Sequence, residues 1–163
     1  VDQLINCGEG NEMTLTVGGK YSVPSINQIG QGLNCTGVVK KITDGCFTIT
    51  SPVQTGLKVC LGRTVVFDIG PAKIVISEEG WEPYGPELFL HAGLIPEESH
   101  FMLIKSRVHF RAGFESITNN IIMAAGPGVS SSDYSQFNFS RLPKPMFPFD
   151  KKMKQKNLIF YNK

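Results

Sequence analysis

A chain of 163 residues is long enough for one domain with a sizeable core and too short for two ordinary ones. Sixteen Lys and Arg against fourteen Asp and Glu leave a net charge of +2, which supplies no domain-wide basic field for nucleic acid. Hydrophobic residues at 41% exclude wholesale disorder, while only 18% charged residues, with 17 glycines and 10 prolines, favour short strands and many turns over a helical bundle.

Residues 12–23 alternate and then break at Gly18-Gly19, a half-buried strand running into a turn. Thr36 to Ile42 is β-branched and strand-like, Asp44-Gly45 follows, and Cys46 to Thr50 alternates again, which predicts a hairpin. Pro52 to Gly62 reads as a loop with a short strand. Arg63 to Ile69 and Ala72 to Ser77 are two further strands, and Gly70-Pro71 between them predicts antiparallel neighbours. A loop follows from Glu78 to Pro86, then a short helix over Glu87 to Ala92, stopped by Gly93.

The next unit is different. Phe101 to Lys105 is a short apolar strand, and Ser106 offers a helix N-cap. Val108 to Ile117 places Phe110, Phe114 and Ile117 at i, i+4, i+7. Ile121 to Ala125 is another apolar run, ahead of Gly126-Pro127-Gly128. Strand, helix and strand predict one βαβ crossover near residues 101–125. The proline-rich stretch from Leu142 to Asp150 should lie extended over the surface. The last thirteen residues carry five lysines and read as a solvated basic tail. The expected fold is therefore α+β and mostly β, built of antiparallel hairpins with that single βαβ unit. One domain spans 1–150 and the tail covers 151–163.

Cys7, Cys35, Cys46 and Cys60 have neither zinc-knuckle nor CxxC spacing, and four are too sparse for a disulfide scaffold. Cys46 and Cys60 sit in apolar runs and read as small buried hydrophobes, with a disulfide or metal ligation as the alternatives. A reducing cytoplasm fits this usage. The tripeptides Asn34-Cys35-Thr36 and Asn138-Phe139-Ser140 match a glycosylation pattern that matters only in secreted eukaryotic proteins. No apolar run approaches the roughly 18 residues of a membrane span. The start at Val1, with neither leader nor initiator Met, suggests a processed chain or an excised domain.

Functional side chains are densest in Lys105-Ser106-Arg107-Val108-His109-Phe110-Arg111. In a βαβ unit this run lies where a strand ends and a helix begins, so Lys105, Ser106, His109 and Arg111 could receive an anionic or carbonyl group. The same residues also suit plainer roles: Arg111 and Glu115 can form an i,i+4 surface pair, Ser106 can serve only as a cap, and His109 lacks the partners of a triad. His91, His100 and His109 stand nine residues apart, with no HExxH, so no self-contained metal site is expected.

Several of these runs, in this order and spacing, resemble the C-terminal region of the MlrC (microcystinase C) family. They are Thr14-Leu15-Thr16-Val17-Gly18-Gly19-Lys20, Asp44-Gly45-Cys46-Phe47, Gly56-Leu57 with Leu61-Gly62-Arg63-Thr64, the run from Lys105 to Phe114, Pro127-Gly128, and the closing Arg141 to Asp150. The likeness covers about residues 12–150. It implies a zinc-dependent peptidase or amidohydrolase whose metal ligands lie in a larger N-terminal domain absent from this chain. His109 and Arg111 are then catalytic candidates, and Lys105 and Ser106 substrate-binding ones. No cofactor is expected in this chain, with zinc in the full-length protein. The expected partners are the N-terminal domain and a peptide or amide substrate, with a homodimer left open. The chain alone should be inactive. The alternative is a non-catalytic anion-binding or assembly module.

Overall fold

The computed structural model describes residues 1–20, 22–23, 28–124, 131 and 133–150. The Gly126-Pro127-Gly128 turn and the basic tail expected at 151–163 lie outside them. The chain opens with α1 (Asp2–Cys7). Its strands follow as β1 (Glu12–Val17), β2 (Ser22–Val23), β3 (Gln28–Ile29), β4 (Leu33–Thr43), β5 (Cys46–Thr48), β6 (Lys58–Cys60), β7 (Thr64–Asp68) and β8 (Lys73–Ser77). Two single-turn helices come later, α2 (Glu87–Leu90) and α3 (Arg111–Phe114). This is the mostly-β α+β fold expected from the sequence, and every strand pairing among the described residues is antiparallel.

Four strands form the main sheet, in the order β1-β4-β7-β8. In β1 the period of two turns Met13, Leu15 and Val17 inward and leaves Glu12, Thr14 and Thr16 exposed. The exposed face is stitched across the strands, with Thr14 Oγ1 and Thr36 Oγ1 2.7 Å apart and Thr16 Oγ1 donating to Asn34 Oδ1 at 2.7 Å. Strand β7 does not alternate, because Val65, Val66 and Phe67 are all buried. Leu4 of α1 packs with Cys35, Val39, Val65 and Phe67 to make the main core. The Arg63 guanidinium ties the β7–β8 hairpin to this helix, donating to both Asp2 and Glu78. Its hydrogen bonds hold the Glu78 carboxyl below the usual range.

A second small sheet, β5–β6, forms another cluster in which Ile49, Val59 and Leu61 pack with Phe47, Trp81, Tyr84 and Leu88. These parts, Val1–Lys20 with Gln31–Ala124, form one compact unit. The other unit holds the β2–β3 ribbon and the described residues from 131 to 150. There Tyr134 and Phe139 both pack against Phe149. The proline-rich stretch carries no strand or α-helix among its described residues, as its prolines require.

Three expectations are corrected. Asp44-Gly45 does not close a β4–β5 hairpin: β4 pairs with β1 and β7, and β5 pairs with β6. A two-residue type I′ turn needs two consecutive residues at positive φ. Here only Gly45 has one, while Asp44 Oδ1 accepts from Cys46 N at 3.0 Å and the chain leaves the sheet. Cys46 and Cys60 are not buried thiols. They stand opposite each other in the β5–β6 register and form a disulfide on the exposed face, because Phe47 and Val59 take the inner face. The βαβ crossover does not form. Residues 101–106 and 121–124 are not strands, and α3 spans four residues rather than ten. The Gly70-Pro71 hairpin does form, pairing Thr64↔Ser77 through Asp68↔Lys73, with Gly70 at φ 89° in the turn.

Candidate functional site

The site is assembled by two buried aromatic anchors and one glycine. Phe110 and Phe114 are 6% and 4% exposed and Ile117 is half-buried, so the apolar stripe faces inward as its spacing predicts. The Phe114 ring meets the edge of Phe89 from α2 at 6.3 Å. Gly113 lies against the 84–85 loop so closely that a Cβ there would meet Tyr84 O at 2.3 Å and Gly85 Cα at 2.5 Å. This close approach brings the Trp81–Tyr84 loop beside the start of α3.

Glu82 fills the space between them. Its Oε1 accepts the Ser106 hydroxyl at 2.6 Å, and its Oε2 lies 3.3 Å from His109 Nδ1. The backbone of Arg107 adds a further hydrogen bond. Ser106 Oγ in turn accepts from Phe110 N at 3.3 Å, closing the turn before α3. The Tyr84 ring meets the His109 ring edge-on at 5.3 Å. The Ser106 hydroxyl, together with His109 and against partial burial, holds the Glu82 carboxyl below the usual carboxylate range. The anion received at this turn is thus the chain's own.

Of the four residues expected at the site, the structure brings Ser106 and His109 together through Glu82. Lys105 and Arg111 flank them on exposed positions. Lys105 has no ion-pair partner among the described residues. Arg111 Nη1 is 3.4 Å from Glu115 Oε1 at i,i+4, and its Cζ stands 5.5 Å from the Phe110 ring centre. This is not a triad. Ser106 and His109 both address the carboxylate, whereas a nucleophilic serine must give its proton to the histidine. A histidine with Nδ1 turned to a carboxylate keeps Nε2 for an outside partner. The residues fail the test for a resident metal: among the described residues no three His, Cys, Asp or Glu are grouped to hold one. His91 stacks on Phe47 with ring centres 5.1 Å apart, and both its ring nitrogens are buried without a hydrogen-bond partner among the described residues.

The sequence reading missed Glu82 and Tyr84. Glu82 stands 24 residues before Ser106, so no local spacing links them. The one available signal is an acid between Trp81 and Pro83 in an otherwise aromatic loop.

The family model described as "MlrC C-terminus" matches residues 1–141. The chain belongs to the MlrC C-terminal family. Microcystinase C of Sphingomonas sp. is 31% identical over 143 residues, a stretch covering 88% of this chain and 26% of that protein. A crystal structure described as "Putative metallopeptidase from Mesorhizobium sp. BNC1" superposes with a TM-score of 0.78 at 17% identity, covering 99% of this chain and 30% of that one. At that identity the likeness is one of fold. The chain spans less than a third of the length of either relative.

Proposed function

We propose that this chain is the C-terminal domain of an MlrC-type peptidase or amidohydrolase, and that its 105–111 segment faces a cleft whose metal-bearing part lies in a larger N-terminal domain. The observation that carries this reading is Glu82, which holds Ser106 and His109 together on the outward side of a segment anchored by buried Phe110 and Phe114. His109, with Nδ1 committed to Glu82, keeps Nε2 for a peptide or amide substrate: as the neutral ring it accepts a hydrogen bond or proton there, and once protonated it donates one. Arg111 holds a substrate carboxylate or stabilises charge developing on a carbonyl oxygen. Lys105 and Ser106 contact the substrate, Lys105 adding positive potential. The zinc expected of the full-length protein has no ligand cluster among the described residues of this chain, and the roles proposed for these side chains are toward the substrate.

Arg111→Lys in the full-length protein tests the reading. It keeps the charge, loses the planar fork, and should lower kcat by roughly 10²–10³ while the melting temperature hardly moves. Unchanged activity, or a loss confined to stability, makes Arg111 structural. A cytoplasmic setting is proposed from the sparse cysteines, and the exposed Cys46–Cys60 bridge weighs against it. In a reducing compartment all four cysteines should titrate as thiols in protein quenched at lysis. Only Cys7 and Cys35 reacting would place the protein elsewhere.

A further inference from the structure

The two segments whose sequence predicts strands, and which form none, share a second property. Phe101 and Leu103 are 91% and 94% exposed, and Met102 and Ile104 between them are half-buried. Exposure therefore alternates along 101–106 with the period of a β-strand, although no strand pairs with it. Ile122, in the second segment, is 86% exposed and Met123 is also exposed. Residues 101–106 and 121–124 make no backbone hydrogen bond to another backbone group among the described residues. An apolar, alternating and unpaired ribbon is a template for strand addition. Soluble monomers seldom leave large apolar side chains grouped in water, as Phe101 and Leu103 are along one side of 101–105.

We propose that the 101–105 segment is a docking edge for the larger domain of an MlrC-type protein, which adds a strand to it and buries Phe101 and Leu103 in apolar pockets, and that the same domain covers Ile122. This rests on the reading above that such a domain works beside this chain. Two observations choose that occupant over a second copy. The relatives carry some seven tenths or more of their length outside the region this chain matches, since it spans 26% of one and 30% of the other. The ribbon also runs directly into Ser106, His109 and Arg111, so a domain docked on it meets the candidate site. A second copy would cover the same edge and bring no new chemistry to it.

Hydrogen exchange on this chain and on an intact relative tests this. In the 163-residue chain, the amides of 101–105 and 121–124 should exchange at the rate of unstructured peptide. In intact microcystinase C of Sphingomonas sp., the segments aligned with them through the family match should exchange at least about a hundredfold more slowly. A second measurement replaces Leu103 with Asp in this chain, and the aligned residue with Asp in the intact relative. The melting temperature of this chain should stay unchanged, while the relative should lose its protection across the aligned segments. Free exchange at those segments in the intact relative overturns the proposal. So does protection in this chain that grows with its concentration, because the occupant is then a second copy. Exchange is read without turnover, so an inactive-site result for Arg111 with protection intact would sink the functional reading and leave the docking edge standing.

Discussion

The β4–β7–β8 region and the 101–124 segment carry equally apolar sequence, and they fold differently. Strand β7 buries Val65, Val66 and Phe67 completely between its neighbours. The Phe101–Lys105 ribbon has the same short apolar run and leaves Phe101 and Leu103 in water. An apolar run states that burial is wanted. It does not state whether the covering surface belongs to the same chain. Around α3 both outcomes meet within a few residues: Phe110 and Phe114 are covered from within, while Phe101, Leu103 and Val108 are not.

The largest expected effect separates those two classes. Phe114→Ala should cost about 3–5 kcal/mol in denaturant melts, because its ring is 4% exposed and packed against Phe89. Phe101→Ala should cost less than about 0.5 kcal/mol, as an exposed substitution that removes no covered contact. A Phe114 loss below about 1 kcal/mol would show that the α3 anchor is not packed. A large Phe101 loss would show that the ribbon is already covered within the chain.

This contrast also explains what the sequence could convey. The strands of the main sheet were legible because both partners and their covering side chains lie within the chain, as the Gly70-Pro71 hairpin shows. Helix α1 was not, since six residues with one buried Leu4 give no periodic signal. The Asp44-Gly45 pair misled because turn chemistry sets a local bend, whereas sheet partners are chosen by long-range burial. At Cys46 and Cys60 the apolar neighbours marked a strand correctly, and the register alone decided which face each sulfur took. The site was half legible. Ser106, His109 and the Phe110–Phe114 stripe follow from local spacing, while Glu82 arrives through a tertiary contact made available by Gly113.

A smaller effect probes the self-contained region through Glu87. This carboxylate is buried, and its Oε1 accepts from Thr50 N at 3.0 Å, Thr50 Oγ1 at 2.7 Å and Ser51 N at 2.6 Å. Burial pushes its carboxyl up, and the Thr50 and Ser51 donors outweigh that, so it lies below its ordinary value. A depressed folded value means stability that is present above the unfolded pKa of about 4.3 and is lost as pH falls through the folded one. Glu87→Gln should therefore cost about 2 kcal/mol at pH 7, where a charged acceptor is replaced by a neutral one. The gap to wild type should narrow in melts at pH 3. A gap that stays constant with pH would show that shape, and not charge, holds the 50–51 turn.

The smallest effect on stability carries the most information about the site. Glu82 has a side chain about one-third exposed, so its bonds to Ser106 and His109 are screened by water, and Glu82→Gln should shift stability by less than about 1 kcal/mol. Its influence on His109 is of another kind. A carboxylate beside Nδ1 favours the tautomer with the proton on Nδ1 and leaves the Nε2 lone pair outward. The amide introduced by Glu82→Gln can turn either its oxygen or its nitrogen to the ring, so that preference should weaken. Nitrogen NMR of the imidazole, at a pH where the ring is neutral, should show mainly the Nδ1–H form in the wild type and a mixture in Glu82→Gln. Ser106→Ala provides the control. It removes the neighbouring bond to Glu82 and the Phe110 N–H bond of the turn but keeps the carboxylate beside Nδ1, and it should leave the wild-type tautomer dominant. If all three proteins show the same tautomer ratio, Glu82 does not orient His109, and the contact is only packing of the Trp81–Tyr84 loop on α3.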